Sequence, residues 1–397
     1  MHVPFCAVRC TYCDFSTGPI SDVLVDRYVA ALVREMAWRS AAARATTFHS
    51  VFFGGGTPST LTPAQFTRLW GALRGHFDIA ADAEITLEAN PESVREDRLE
   101  AWASAGVNRL SFGAQAFDAG DLKVLGRIHD VARPAHAVAL ARAHGFKRLS
   151  LDLMFGYPGH TAAAWEGTLE ALFALEPEHL SAYCFIPEGG TPLGDAVLDG
   201  SVTLPPDEAQ AEAYAQLECR AAEQGFACYE TSNFCRPGAE ARHNLVYWLR
   251  RPYVGLGPSA HGHLDGRRYG NRYDRVEWIQ ALERAESPEA ESEQETEVSR
   301  AREVVMLGLR LADGLHAGDY PAAEWEQVER RYGVAFQRAV AAGRLEHGAL
   351  GPRIAAAHRF VADDVIAWLD AAAETPGESP KIPGVDTLEH GSITSGG

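Results

Sequence analysis

The sequence predicts an α/β protein: a partial, TIM-like barrel of β/α units, followed by a winged-helix-like α+β module. Three observations predict it. Short apolar runs alternate with helical stretches through the first half of the chain, a rhythm that makes βα units and a parallel sheet. Polar and glycine-rich motifs sit where those apolar runs end, as they do at the C-terminal face of α/β barrels. Beyond Val298 the pattern changes to helices around one small hairpin.

In chain order, strands are expected at His49–Phe53, Ile85–Ala89, Arg109–Phe112, Leu149–Met154 and Leu180–Phe185. Helices are expected at Pro63–Arg74, Val94–Ala105, Ala119–Ala143 and Ala163–Leu175. Thr62 before Pro63 reads as an N-cap followed by proline at the first helical position. Gly54–Pro58, Glu88–Pro91, Gly113–Gln115 and Asp152 close the strands. A helix at Asp207–Gln224 then leads to the strand-like Phe226–Glu230, the run His243–Trp248 and the glycine-rich Tyr253–Gly262. The last module has helical periodicity at Arg302–Leu311, helices near Ala322–Tyr332 and Ala335–Ala342, a hairpin around Leu345–Ala355 and a helix at Ala362–Ala372. The expected division is a barrel over 1–204, an extension over 205–297, the C-terminal module over 298–374 and a tail over 375–397. That tail is rich in Gly, Ser, Pro and Thr and is expected to be disordered.

Composition excludes several classes. The chain of 397 residues has a formal net charge of −18. A phosphate-backbone binder carries the opposite sign, and the winged-helix-like module shows no basic recognition helix, so nucleic acid is not an expected partner. No run approaches the ~20 apolar residues of a membrane span. The first residues show neither a basic stretch nor an apolar core of a leader. From Glu283 to Glu297 there are seven Glu and a single Arg, which reads as a solvated loop. The seven cysteines are an odd number, and a chain this long buries a large core without staples. Free thiols place it in a reducing cytoplasm.

Three of the cysteines carry the chemistry. Cys6, Cys10 and Cys13 stand as C-x3-C-x2-C in MHVPFCAVRCTYCDF. Three thiolates hold a [4Fe–4S] cube and leave one iron for an exchangeable ligand, the position that the amino and carboxylate groups of S-adenosylmethionine (SAM) chelate. The competing reading is zinc, completed by His2 or Asp14, although structural zinc favours four ligands in paired C-x2-C elements. Phe53-Gly-Gly-Gly-Thr-Pro-Ser59 follows a strand and precedes a helix. Its glycines either bring backbone close to a ligand or make a tight turn. Glu88, Gln115, Arg127 and Asp152 are polar groups at or just beyond strand ends. They either bond one another as a structural network or bind a zwitterion with a ribose, Arg127 on a carboxylate and Asp152 on ribose hydroxyls.

These motifs carry a family resemblance over His2 to about Ala371. H-x-P-F-C-x3-C-x2-C-D-F, GGGTPS, E-A-N-P-E, S-F-G-x-Q-x-F, L-G-R-x-H, D-L-M-F-G-x-P-G and HNLVYW together resemble the oxygen-independent coproporphyrinogen oxidase family of radical SAM proteins, and most closely its heme-chaperone branch. The resemblance implies a [4Fe–4S] cluster on Cys6, Cys10 and Cys13. It implies SAM contacts from Gly55, Gly56, Thr57, Glu88, Gln115, Arg127 and Asp152, with Ile186 near another. His243, Asn244, Tyr247 and Trp248 match the branch's heme motif H-N-x-x-Y-W at its four fixed positions. Imidazole is a common axial ligand of heme iron, and the two aromatics offer flat apolar surface. The plainer reading of that run is a hydrogen-bonded histidine with two packing aromatics. The oxidases carry a further cysteine two residues after the third ligand, where this chain has Phe15. The implied function is therefore a heme chaperone that passes heme to a heme-requiring protein, with a cluster-dependent homodimer implied as well. The alternative is SAM-dependent oxidative decarboxylation of coproporphyrinogen III. Family members extend the first strand as Y-x-H-x-P-F-C, whereas here Met1 directly precedes His2, so the expected native start lies upstream.

Overall fold

The computed structural model describes residues 1–43 and 46–374. The expected tail over 375–397 lies outside the described residues. The chain clusters into two compact units. The larger holds Met1–Ala227, Ser232–His243 and Pro252–Glu293; the smaller holds Cys228–Thr231, Asn244–Arg251 and the chain from Gln294.

In the larger unit, β1 (His2–Val3), β2 (Thr47–Gly55), β3 (Asp78–Ala89), β4 (Arg109–Gln115), β5 (Leu149–Phe155) and β6 (His179–Cys184) are successive parallel neighbours. The short β7 (Asn233–Cys235) runs antiparallel beside β6. This is the partial parallel barrel expected from the sequence. Strand order follows chain order, because each crossover helix returns the chain to the next position in the sheet.

The helices are α1 (Asp22–Ser40), α2 (Pro63–His76), α3 (Glu96–Ala105), α4 (Ala119–Val124), α5 (Arg133–Ala143) and α6 (Ala162–Ala174). Helix α2 begins as read: the Gln65 N–H donates to Thr62 Oγ1 at 3.2 Å, and the Thr62 N–H donates to Gln65 Oε1 at 3.0 Å. Buried strand residues meet the helices in an aromatic core. Phe53 packs on Phe66 and Trp70, and Phe155 on Trp165. Burying each of these large side chains contributes about 2–3 kcal/mol. The larger unit also holds His261–Leu264 and Arg267–Asn271 of a separate sheet, whose third strand, Glu289–Gln294, ends at the division between the units.

The smaller unit packs helices Glu297–Gly308, Ala322–Ala341 and Ala362–Glu374 around the hairpin Leu345–His347/Pro352–Ile354. Val304, Val328, Tyr332, Val365 and Leu369 form its core. Arg250 is clasped by Glu295, Glu303 and Glu324, its guanidinium almost wholly enclosed.

Three readings need correction. The single helix expected over Ala119–Ala143 is two, because Gly126 takes φ +68° between them and Pro134 enters the first turn of α5. The two helices expected near Ala322–Tyr332 and Ala335–Ala342 are one, since Gly333 lies within it with nothing near its missing Cβ. The acidic run is not simply a solvated loop: Glu289–Gln294 is a strand, with Glu289 paired to Arg39 and Arg267.

Candidate functional site

The cysteine loop follows β1 and is pinned at its tip. Thr11 Oγ1 donates to the Val124 carbonyl at 2.8 Å, and the Leu193 N–H donates to the Thr11 carbonyl at 2.9 Å. A Cβ on Gly126 would stand 2.9 Å from the Thr11 nitrogen. Only glycine lets the Leu125-Gly126-Arg127 turn approach this closely with positive φ, and that approach brings Arg127 to the cysteines.

Arg127 is the hub of the site. Its Nη1 donates to Cys10 Sγ at 3.2 Å, and its Nη2 donates to Asn90 Oδ1 at 2.6 Å and to the Gly113 carbonyl at 2.9 Å. Asn90 Nδ2 then donates to Thr57 Oγ1 at 3.1 Å, and Thr57 Oγ1 lies 3.3 Å from Cys6 Sγ. The ends of β2, β3 and β4 are thus joined to two of the three cysteines by one hydrogen-bonded chain. Arg127 Nε is buried and bonded to nothing, so the guanidinium keeps a donor for a further acceptor. Gln115 sits at a β-bulge with φ 66°, and its Nε2 approaches the Gly113 position beside Asn90 and Arg127. A bulge re-aims a side chain at the rim of a barrel.

The thiols suit an iron–sulfur cube. Burial pushes Cys13 up to about 11, and the charges of Cys10 and Cys6 add to it. Burial likewise raises Cys6. Half-buried thiols that oppose one another's ionisation need a cation to ionise together, a need that the irons of a cluster would meet. No three His, Cys, Asp or Glu side chains among the described residues surround a single metal-ion position. A cube does not ask this, because each thiolate binds a different iron.

The glycine loop has a structural task. A Cβ on Gly56 would lie 2.7 Å from the Val3 carbonyl and 2.9 Å from the Phe5 carbonyl. Gly55 takes φ +103° against the His2 ring. These glycines let the cysteine-bearing segment pass close over β2. The Gly55 N–H donates to Glu88 Oε2 at 3.1 Å. Burial, with the Asp152 charge adding, pushes Glu88 up to about 8. Asp152, on β5, is also raised by desolvation, while hydroxyls oppose the shift. Ser111 Oγ donates to both its oxygens, at 2.9 and 3.0 Å. Ile186 lies exposed just beyond β6.

The structure sets His243 apart from the cysteines. Its ring stacks on Phe52 with centroids 5.1 Å apart, and Nδ1 lies 2.8 Å from Ser50 Oγ. Its N–H donates to Glu84 Oε1 at 2.9 Å. Burial lowers the imidazole to about 3, so it is neutral, the form that ligates a metal. The bond at Nδ1 fixes the ring, as the second ring nitrogen of metal-ligating histidines usually is. In the smaller unit Asn244 Nδ2 donates to the Tyr229 hydroxyl at 3.2 Å. There Arg310 lies over the Trp248 ring, and Tyr247 is partly exposed.

Asn90, Ser111, Ser50 and Glu84 were missed as site residues. Asn90 lies inside the E-A-N-P-E motif and was legible as a polar group at a strand end. The other three are ordinary polar residues within strands, and only the fold shows what they face.

Known proteins resemble this chain closely. The radical SAM superfamily profile matches residues 1–172. A "Heme chaperone HemW" of Mycobacterium tuberculosis is 38% identical over 332 residues, 83% of this chain and 85% of that protein. The protein of the same name from Bacillus subtilis is 35% identical, over 79% of this chain and 83% of its own length. A zebrafish (Danio rerio) protein, "Radical S-adenosyl methionine domain-containing protein 1, mitochondrial", is 34% identical, over 79% of this chain and 73% of its own length. The solved structure of coproporphyrinogen III oxidase (HemN) from Escherichia coli shares the fold with a TM-score of 0.80 at 22% identity, covering 93% of this chain and 88% of that one. The chain belongs to the HemW family of radical SAM proteins.

Proposed function

We propose that this chain is a cytoplasmic heme chaperone that binds a [4Fe–4S] cluster, SAM and heme, and delivers the heme to a partner protein. The observation that carries the reading is the extent of identity to proteins named heme chaperones, which runs along most of both chains. Two local features agree with it: Phe15 where the oxidases have a further cysteine, and an intact His243-Asn-Leu-Val-Tyr-Trp248.

Cys6, Cys10 and Cys13 are the residues that would hold the cluster. With SAM, such a cluster supplies one-electron chemistry. Arg127 Nε is the donor available to the SAM carboxylate, and the guanidinium is held in place by Asn90 and Gly113. Asp152, fixed by Ser111, would accept from ribose hydroxyls. Gly55, Gly56 and Thr57 hold the cysteine segment against the ends of β2 and β3. His243, oriented by Ser50 and Phe52, is the residue that would hold heme iron.

The test is transfer. Reconstituted, heme-loaded protein is mixed anaerobically with an apo-hemoprotein, and acquisition of heme by the acceptor is followed. Transfer faster than from free heme supports the proposal. Failure to transfer, together with conversion of coproporphyrinogen III when SAM and a reductant are supplied, would replace it with the oxidase reading.

A further inference from the structure

The opposite end of the barrel, where β3, β4 and β5 begin, holds a feature that the cluster and SAM chemistry leave unused. A cavity of about 470 Å³ opens there, lined among others by Asp82, His144, Lys147, Arg148 and Arg242. In a chain of net charge −18 this wall is basic. Arg148 reaches Glu84 at 3.8 Å, and Glu84 is shared with the buried Arg109 at 3.9 Å. Arg109 donates through Nη1 to the Ala239 carbonyl, while its Nη2 is buried without a partner. Four cationic side chains therefore stand against two carboxylates, Asp82 and Glu84. A concave wall with excess positive charge raises the local concentration of anions.

His243 belongs to this end of the barrel. Its backbone N–H donates to Glu84, and the neighbouring Arg242 side chain donates to the Asp82 carbonyl. Asp82 and Glu84 are two residues apart on β3, so these two anchor points are separated by roughly 7 Å. Arg242 lines the basic cavity, so the residue that carries the imidazole assigned to heme iron directly follows one of the cavity's cations, and β3 anchors both.

We propose that this cavity receives the propionate carboxylates of the heme whose iron reaches His243. The inference rests on the heme-chaperone reading and adds to it the anionic half of the ligand. Guanidinium groups match planar carboxylates bidentately, and Lys147 adds a point charge. Arg148 and Arg242 have side chains 42% and 43% exposed, and their present carboxylate contacts are long, at 3.8 and 4.0 Å. The Arg242–Asp82 pair is exposed on both sides, and such pairs are weak and exchange partners readily. The arrangement also separates two tasks: His243 recognises the metal, and the cavity recognises the acid groups that give the porphyrin its orientation.

The test compares ligands before it compares variants. Reconstituted wild-type protein is titrated with heme and with heme dimethyl ester, which keeps the iron and the ring but lacks the carboxylate charges. The ester is expected to bind roughly ten- to a hundredfold more weakly, the effect of losing charge-assisted hydrogen bonds. The double variant Lys147→Glu/Arg242→Glu should lower heme affinity by a similar factor and leave ester affinity within about twofold. Heme binding should also weaken with added salt more steeply than ester binding. Equal affinity for heme and ester in the wild type would overturn the inference while leaving the chaperone reading intact. Absence of saturable binding of either ligand would overturn both. If the double variant fails to fold, the ester comparison on wild-type protein still decides.

Discussion

Replacing Arg127 with methionine tests whether one guanidinium organises the cysteine end of the barrel. The change removes donors to Cys10 Sγ, Asn90 Oδ1 and the Gly113 carbonyl. Hydrogen bonds from a charged donor contribute about 1.5–3 kcal/mol each, and the acceptors left behind lose their partners. Against this, methionine avoids the cost of desolvating a charge. Counting the two bonds to oxygen and allowing for that offset gives a net loss of about 3–4 kcal/mol. The larger unit, of about 280 residues, unfolds with an entropy of about 2.1 cal/mol/K per residue, so the melting temperature should fall by roughly 5–7 °C. The assay is thermal unfolding of the cluster-free protein by circular dichroism, for Arg127→Met, Asn90→Ala and the double variant. Because the two side chains share a 2.6 Å bond, their effects should be non-additive by about 1–2 kcal/mol. A fall of less than roughly 2 °C for Arg127→Met, or additivity within about 0.5 kcal/mol, would refute the hub.

Cys10→Ala should abolish the broad visible iron–sulfur absorbance after anaerobic reconstitution; a full cluster in the variant would remove Cys10 from the ligand set. Thr57→Val should shift the cluster to a more negative potential, because hydrogen bonds to cluster sulfurs raise it; an unchanged midpoint in a potentiometric titration followed by electron paramagnetic resonance would contradict the contact at 3.3 Å. Gly56→Ala should impair cluster assembly, since its Cβ meets the Val3 and Phe5 carbonyls; iron content equal to wild type would show that the segment can shift. Glu88 is held protonated by burial up to about 8, above its unfolded value, so the folded state binds the extra proton between those two limits. Its stability contribution is present below the unfolded pKa and is lost as pH rises towards 8, with a slope of up to about 1.4 kcal/mol per pH unit. Denaturant melts from pH 5 to 8 should show this slope in the wild type and its loss in Glu88→Gln; identical pH profiles would show that Glu88 does not titrate there.

How much of this was legible depends on the range of the interactions. The strands were legible because apolar runs such as Val51–Phe53 and Leu149–Leu153 supply the buried faces. The cysteine motif was legible because its spacing is local. The break at Gly126 was not, because the left-handed turn there is justified by Thr11, which lies more than a hundred residues earlier. The two helices expected near Ala322–Tyr332 and Ala335–Ala342 merge across Gly333, because a glycine costs a helix only about 1 kcal/mol, and the core around Val328 and Tyr332 outweighs it. Asn90 gained its role from Arg127 and Thr57, which the barrel brings to it. Ser50 and Glu84 lie more than 150 residues from His243 in sequence. The Glu289 pairing with Arg39 and Arg267 was hidden inside a run whose local composition reads as solvent-facing.

The most direct test of the central claim is an anaerobic titration of the reconstituted protein with heme, followed by the Soret band, with His243→Ala beside the wild type. The account expects stoichiometric, saturable binding that His243→Ala weakens. Absence of saturable binding by the wild type, with SAM-dependent conversion of coproporphyrinogen III by the same preparation, would contradict it.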